Sequence, residues 1–268
     1  MVNGKWSMEK GKYAIVTGAA SGMGRCYAIQ LAEKGYGVLL VDINGEATQQ
    51  LSLQLTEQYG VPAPFLCTDL TLPHASEQIV SLCQDNGWQV EILINNAGML
   101  IQASIENTAP EKLQRIVALH CSTPLLLCRR FIPIMKEQGC GYILNISSYT
   151  AWMIWPFIGM YGCTKRFVKD YSRILRLECC DSNVSITTAI FGAVDTPLAN
   201  VPPVNKFRKT LLRLGIMISP EKAARLALKA MFRRKATLIP TVTDRLTIFS
   251  CHLMPTFLLR YLAKKVKM

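Results

Sequence analysis

Six short apolar runs alternate with helix-forming stretches along this chain, and each run stops at a glycine or a small polar cluster. Residues 13–17 lead into Gly18, 37–41 into Asp42 and 63–67 towards Asp69. Residues 92–94 run into Asn95-Asn96-Ala97-Gly98, 142–146 into Ser147-Ser148, and 184–190 into Phe191-Gly192. Helical patterns fill the intervals near 45–58, 73–86, 110–137 and 159–180, and an amphipathic stretch ends at Lys34. Strands that are apolar throughout and separated by helices belong to a parallel sheet covered on both faces. In such sheets ligands sit outside the carboxyl ends of the strands, which is where this chain keeps its glycines and polar clusters. The expected fold is α/β, a Rossmann-type doubly wound parallel sheet. A length of 268 residues suits a single unit of this kind. Its division is a cofactor-binding catalytic domain over 1–240 and a basic, apolar, helical C-terminal extension over 241–268.

The first strand runs into Gly18-Ala19-Ala20-Ser21-Gly22-Met23-Gly24, followed by a helical pattern. Glycines there let the backbone turn sharply and let a diphosphate approach without a Cβ in its way. The next helix offers free N–H groups and the positive end of its dipole to the anion. Three glycines are a weak signal alone. A strand before, a helix after and an acid at the end of the second strand, Asp42, strengthen it. A carboxylate at that place accepts hydrogen bonds from ribose hydroxyls and repels a 2′-phosphate, which favours NAD over NADP. The plain alternative is a βα turn with Asp42 as a helix cap.

Tyr161 and Lys165 lie four apart on a helical pattern and share one face. A free phenol, with a pKa of about 10, is a poor base at neutral pH. A neighbouring ammonium lowers that value by favouring the phenolate, which would make Tyr161 a usable general acid/base. Ser148, at the end of the fifth strand, is placed to polarise a carbonyl. The spacing alone means little, because Tyr261 and Lys265 repeat it in the tail; position after Ser147-Ser148 singles out Tyr161.

These pieces together resemble the short-chain dehydrogenase/reductase family over roughly residues 10–240, hydroxysteroid dehydrogenases and ketoacyl or ketosphinganine reductases among its members. The pieces are the glycine loop, Asp69, Asn95-Asn96-Ala97-Gly98, Ser148 and Tyr161-x-x-x-Lys165. The resemblance implies that Asp69 and Leu70 lie at the adenine and that Asn95, Asn96, Ala97 and Gly98 line the cofactor. It implies that Ser148 is the catalytic serine, that Tyr161 and Lys165 also hold the cofactor, and that Val194 and Thr196 flank its carboxamide. A homodimer or homotetramer is implied as well. Two positions depart from the family pattern. His120 replaces an asparagine that helps hold a water joining the lysine to solvent, so His120 either carries that relay, weakens it or is structural. Phe191 replaces a proline and alters the pocket wall.

The loop from Tyr149 to Met160 is large and apolar, with Trp152, Trp155 and Phe157. With Met99, Leu100 and Phe191 it suggests a pocket for a bulky, poorly polar substrate, such as a steroid or a fatty-chain ketone. A subunit interface is the other use of such side chains. The ten cysteines include no C-x-x-C and form no metal-ligand spacing with the three histidines, which argues against a bound metal and for reduced, buried thiols in a cytoplasmic protein. Residues 201–268 carry 15 Lys+Arg against 2 Asp+Glu, a net of +13, while residues 1–200 stand at −1. Residues 246–259 carry no formal charge and are too short to span a bilayer. Residues 206–268 therefore read as a helix docked on the core or as a peripheral contact with an anionic membrane; nucleic acid is disfavoured because no recognition motif accompanies the charge. The activity expected is hydride transfer between a nicotinamide and a secondary alcohol or ketone. The rival is a low-turnover cofactor-binding protein acting as a sensor or membrane-associated scaffold.

Overall fold

A computed structural model of the chain describes residues 11–154, 158–199, 212–213 and 216–266. Seven parallel strands form one sheet in the order β3-β2-β1-β4-β5-β6-β9. They are β1 (Lys12–Thr17), β2 (Gly37–Asp42), β3 (Phe65–Cys67), β4 (Gln89–Asn95), β5 (Gly141–Ser148), β6 (Val184–Phe191) and β9 (Thr237–Leu238). Two short strands, β7 (Ala193–Val194) and β8 (Met217–Ile218), pair beside it. The order reverses at β1, which has β2 on one side and β4 on the other. Chains leaving β1 and β4 therefore part in opposite directions and open a crevice at their carboxyl ends.

Successive residues of a strand point to opposite faces, and β1 supplies a core on each side. Ala14 and Val16 pack with Tyr27, Leu51, Leu55 and Ala227 from the helices α1 (Gly22–Ala32), α2 (Gly45–Tyr59) and α7 (Pro220–Phe232). Ile15 packs on the other face with Ile79, Phe131 and Val168 from α3 (Ala75–Asp85), α5 (Thr123–Glu137) and α6 (Gly159–Glu178). All three β1 residues are fully buried. This double burial explains why the strands read as unbroken apolar runs.

The stretch expected as one helix over 110–137 is three pieces: α4 (Pro110–Val117), a π-type turn at Ala118–Ser122, and α5. The extra residue in the π turn re-aims the side chains that follow, and such turns are frequent at functional sites. Helix α7 did not stand out from its basic composition. Its start is nevertheless written locally: Ser219 caps Lys222 N–H, and Pro220 and Glu221 occupy the first turn. The chain ends in α8 (Val242–Leu253) and α9 (Thr256–Val266).

Candidate active site

One cleft of about 540 Å³ runs across the carboxyl ends of the sheet. At one end the glycine loop is folded as tightly as its composition permits. Gly18 has φ +67°, in the left-handed region that favours glycine. A Cβ on Gly24 would lie 1.8 Å from Gly18 O and 2.8 Å from Asn96 Nδ2, so only hydrogen fits between helix and loop. The Asn96 side chain donates to Thr17 O at 2.9 Å and Gly18 O at 3.3 Å, tying β4 to the loop. Asp42 Oδ2 accepts from Ala20 N–H at 2.9 Å, and its Oδ1 accepts from Asn44 N–H at 3.0 Å. Asp42 thus braces the loop while its side chain lines the cleft. Ser21, Gly22 and Met23, at the first turn of α1, also line it, and Ser21 makes no side-chain cap to that turn. A glycine-rich loop at an uncapped helix N-terminus, with a carboxylate beyond it, fits a dinucleotide whose diphosphate sits at the loop and whose ribose reaches Asp42.

At the other end, β5 delivers Ser148 and α6 delivers Tyr161 and Lys165 to the same wall. The Ser148 hydroxyl accepts from Thr150 N–H at 3.2 Å and lies beside the Tyr161 phenol. Lys165 is buried, donates from Nζ to Ile146 O at 3.0 Å, and places Nζ 5.6 Å from the Tyr161 ring centroid. Burial pulls this ammonium down to about 8. The expectation that Lys165 lowers the tyrosine is corrected here. Burial pushes the Tyr161 phenol up to about 12, the neighbouring Ser148 hydroxyl opposes the rise, and Tyr149 adds to it. At neutral pH the phenol carries its proton and the lysine its charge.

His120 sits in the π turn, 1% exposed, behind this wall rather than on it. Its Nε2 accepts from Met99 N–H at 3.0 Å, so in the neutral ring Nδ1 carries the hydrogen and donates to Thr164 Oγ1 at 2.8 Å. Thr164 in turn donates to Tyr161 O at 2.9 Å. Burial, and then the nearby Lys165 charge, hold the imidazole well below its ordinary value. Both ring nitrogens are engaged by protein, and neither bonds Lys165. His120 joins the Gly98-Met99 corner to the start of α6, a geometry that favours the structural reading among the three left open for it.

Most of the expected cofactor residues meet in the cleft: Gly18, Ser21, Gly22, Met23 and Asp42 at the loop; Asp69 and Leu70 beside them; Asn96, Ala97 and Gly98 after β4; Val194 and Thr196 after β6. Met99 and Phe191 line the substrate end. Asp69 spends its carboxylate inside the protein. Burial works to raise it, but the N–H and hydroxyl of Thr71 and the Arg115 guanidinium at 3.0 Å hold it below its usual value. Three of the expected residues stand off the cleft wall. Asn95 faces away, buried, and donates to Asn145 Oδ1 at 2.8 Å. Gly24 is buried behind the loop instead of lining the cleft. Trp152 does not line the cleft either; the Lys169 ammonium lies 4.9 Å from its ring centroid. Trp155 lies outside the described residues. From the apolar loop expected to form the pocket, Tyr149 and Ile158 do line the cleft; Arg115 and Leu198 line it without having been singled out.

A family model described as short chain dehydrogenase matches residues 12–203. The very-long-chain 3-oxoacyl-CoA reductase of Pyricularia oryzae is 31% identical over 220 residues, 77% of this chain and 66% of its own. The 17-beta-hydroxysteroid dehydrogenase type 3 of Homo sapiens is 29% identical over 202 residues, 75% of this chain and 64% of its own. The chain thus spans slightly less than two thirds of the length of either relative. A short-chain dehydrogenase from Sphingobium yanoikuyae, solved in complex with NADPH, superposes with a TM-score of 0.77 at 26% identity, covering 91% of this chain and 95% of that one.

Proposed function

Because the chain belongs to the short-chain dehydrogenase family, we propose that it interconverts a secondary alcohol and a ketone on a bulky hydrophobic substrate, using NAD. The observation that carries this reading is the single cleft with Ser148, Tyr161 and Lys165 at one end and the glycine loop with Asp42 at the other. The bound nicotinamide supplies or accepts the hydride. The chain's own residues handle the oxygen. The Ser148 hydroxyl fixes its position beside Tyr161, and the protonated phenol donates to it when a ketone is reduced. The Lys165 ammonium, held by Ile146 O, keeps positive charge beside the phenol as negative charge develops.

The substrate class follows from the mouth of the cleft. Met99, Leu100, Tyr149, Ile158, Phe191 and Leu198 surround it with apolar surface, which suits a steroid-like or lipid-like ketone more than a sugar. The choice of NAD rests on Asp42, whose charge opposes a 2′-phosphate. Assembly as a homodimer or homotetramer is part of this proposal. Exposed apolar side chains on α5 (Leu125, Leu126) and α6 (Phe167, Ile174, Leu177) support it. So is a cytoplasmic location, peripheral to a membrane.

Purified protein, NADH and a panel of hydrophobic ketones test the reading. Turnover of steroid or long-chain ketones with little turnover of sugars is expected. Cofactor binding without turnover on any ketone would favour the sensor instead.

A further inference from the structure

The C-terminal helix α8 has two faces with different fates. Asp244 and Ile248, four residues apart, are 6% and 9% exposed and pack inward. Thr241 caps the helix: its Oγ1 accepts from Asp244 N–H at 3.0 Å. The Asp244 carboxylate fills the space where a side chain at 192 would stand, so α8 is anchored beside the cleft. The outward face carries Val242, Leu246, Phe249 and Leu253, at 69%, 62%, 64% and 66% exposed. Their spacing of four, three and four makes one stripe, roughly opposite the anchored side at about 100° per residue. Phe257, at the start of α9, is 73% exposed.

Charge decides what this stripe suits. Arg245, Arg260 and Lys264 are exposed on the same two helices. Between 242 and 266 the one acidic residue is Asp244, and it faces inward. Two copies meeting through this face would oppose like charges, which costs binding energy. A polyanion such as nucleic acid would leave the leucines in water. Neither helix is long and apolar enough to cross a membrane. An apolar stripe with cations on an otherwise acid-free helix pair matches an anionic bilayer surface.

We propose that the outer face of α8 and α9 docks on an anionic membrane, with Val242, Leu246, Phe249, Leu253 and Phe257 at the acyl boundary and Arg245, Arg260 and Lys264 among the headgroups. This deepens the membrane-peripheral location proposed above and does not depend on the proposed reaction. Docking on this face sets Gly192, and with it the substrate end of the cleft, close behind the lipid-facing helix.

The test is sedimentation of the full chain with phosphatidylcholine vesicles, with and without an equimolar share of phosphatidylglycerol. Binding is expected only to the anionic vesicles and is expected to weaken as salt rises. Each cation near such a surface contributes a factor of about five, so Arg260→Gln with Lys264→Gln should weaken binding about 25-fold. Leu246→Glu with Phe249→Glu should abolish it while leaving NADH binding and melting temperature intact, since both side chains stand in solvent. Absence of binding, equal binding to neutral vesicles, or binding untouched by Leu246→Glu/Phe249→Glu would each overturn the proposal. So would a wild-type oligomer that this double variant splits in the absence of lipid.

Discussion

Replacing His120 by asparagine removes one titratable group from the core, and the consequence for acid stability can be worked from the geometry. Nε2 accepts the Met99 N–H at 3.0 Å, so a proton added there would face another N–H at van der Waals range. Nδ1 already carries the other hydrogen towards Thr164. Burial and the Lys165 charge also oppose the imidazolium. The folded-state pKa is therefore depressed, while the unfolded chain titrates near the ordinary value of about 6.5. Below that pH the unfolded state takes up a proton that the folded state refuses, and stability falls as pH falls. Between pH 7 and pH 5, a group of this kind takes away about 2 kcal/mol. Urea denaturation of wild type and His120→Asn across that range isolates the effect, because all other titrating groups are shared. Wild type is expected to lose about 2 kcal/mol more than the variant on acidification. Parallel stability curves for the two proteins would refute the neutral, doubly engaged histidine.

Three further outcomes follow from the same site. Lys165→Met is expected to abolish turnover yet stabilise the fold at pH 7. Depressing an ammonium to about 8 costs about 3 kcal/mol, of which the lost bond to Ile146 O returns about 1; a melting temperature below wild type would count against this. Asp42→Asn keeps an acceptor for Ala20 N–H but removes the charge, so the ratio of kcat/KM for NAD over NADP should fall at least about tenfold, about 1.4 kcal/mol; an unchanged ratio means that Asp42 does not select the cofactor. Gly24→Ala forces a Cβ against Gly18 O and should cost stability by about 1–3 kcal/mol together with NADH affinity, measured by thermal shift with and without cofactor.

What was legible in the chain was whatever depends on local pattern. The strand ends gave the position of the cleft, and the glycine loop, Ser148, Tyr161 and Lys165 meet where those ends converge. Asn95 was misread because the sequence does not show which member of an asparagine pair faces the ligand. Strand pairing aligns Asn95 with Asn145 and turns it to the core, and Asn96 is left to reach the loop. The pKa of Tyr161 was misjudged because burial is a property of packing, and here it outweighs the ammonium one turn away. Helix α7 was hidden by its cations, which ride on the outer side of an alanine-rich face. The contact of Asp244 with Gly192 joins residues far apart in sequence, and no spacing rule announces it. Tyr261 repeats the catalytic spacing but lies on α9, 54% exposed, which shows how little the spacing fixes.

The central claim is that Tyr161 moves the proton. The most direct measurement compares ketone reduction by wild type and Tyr161→Phe, with NADH affinity read in parallel. The phenyl ring keeps the packing against His120 and loses only the hydroxyl beside Ser148. A fall in kcat/KM of about 10²–10⁴, with NADH affinity nearly unchanged, is the expected result. Reduction at the wild-type rate by Tyr161→Phe would contradict the account.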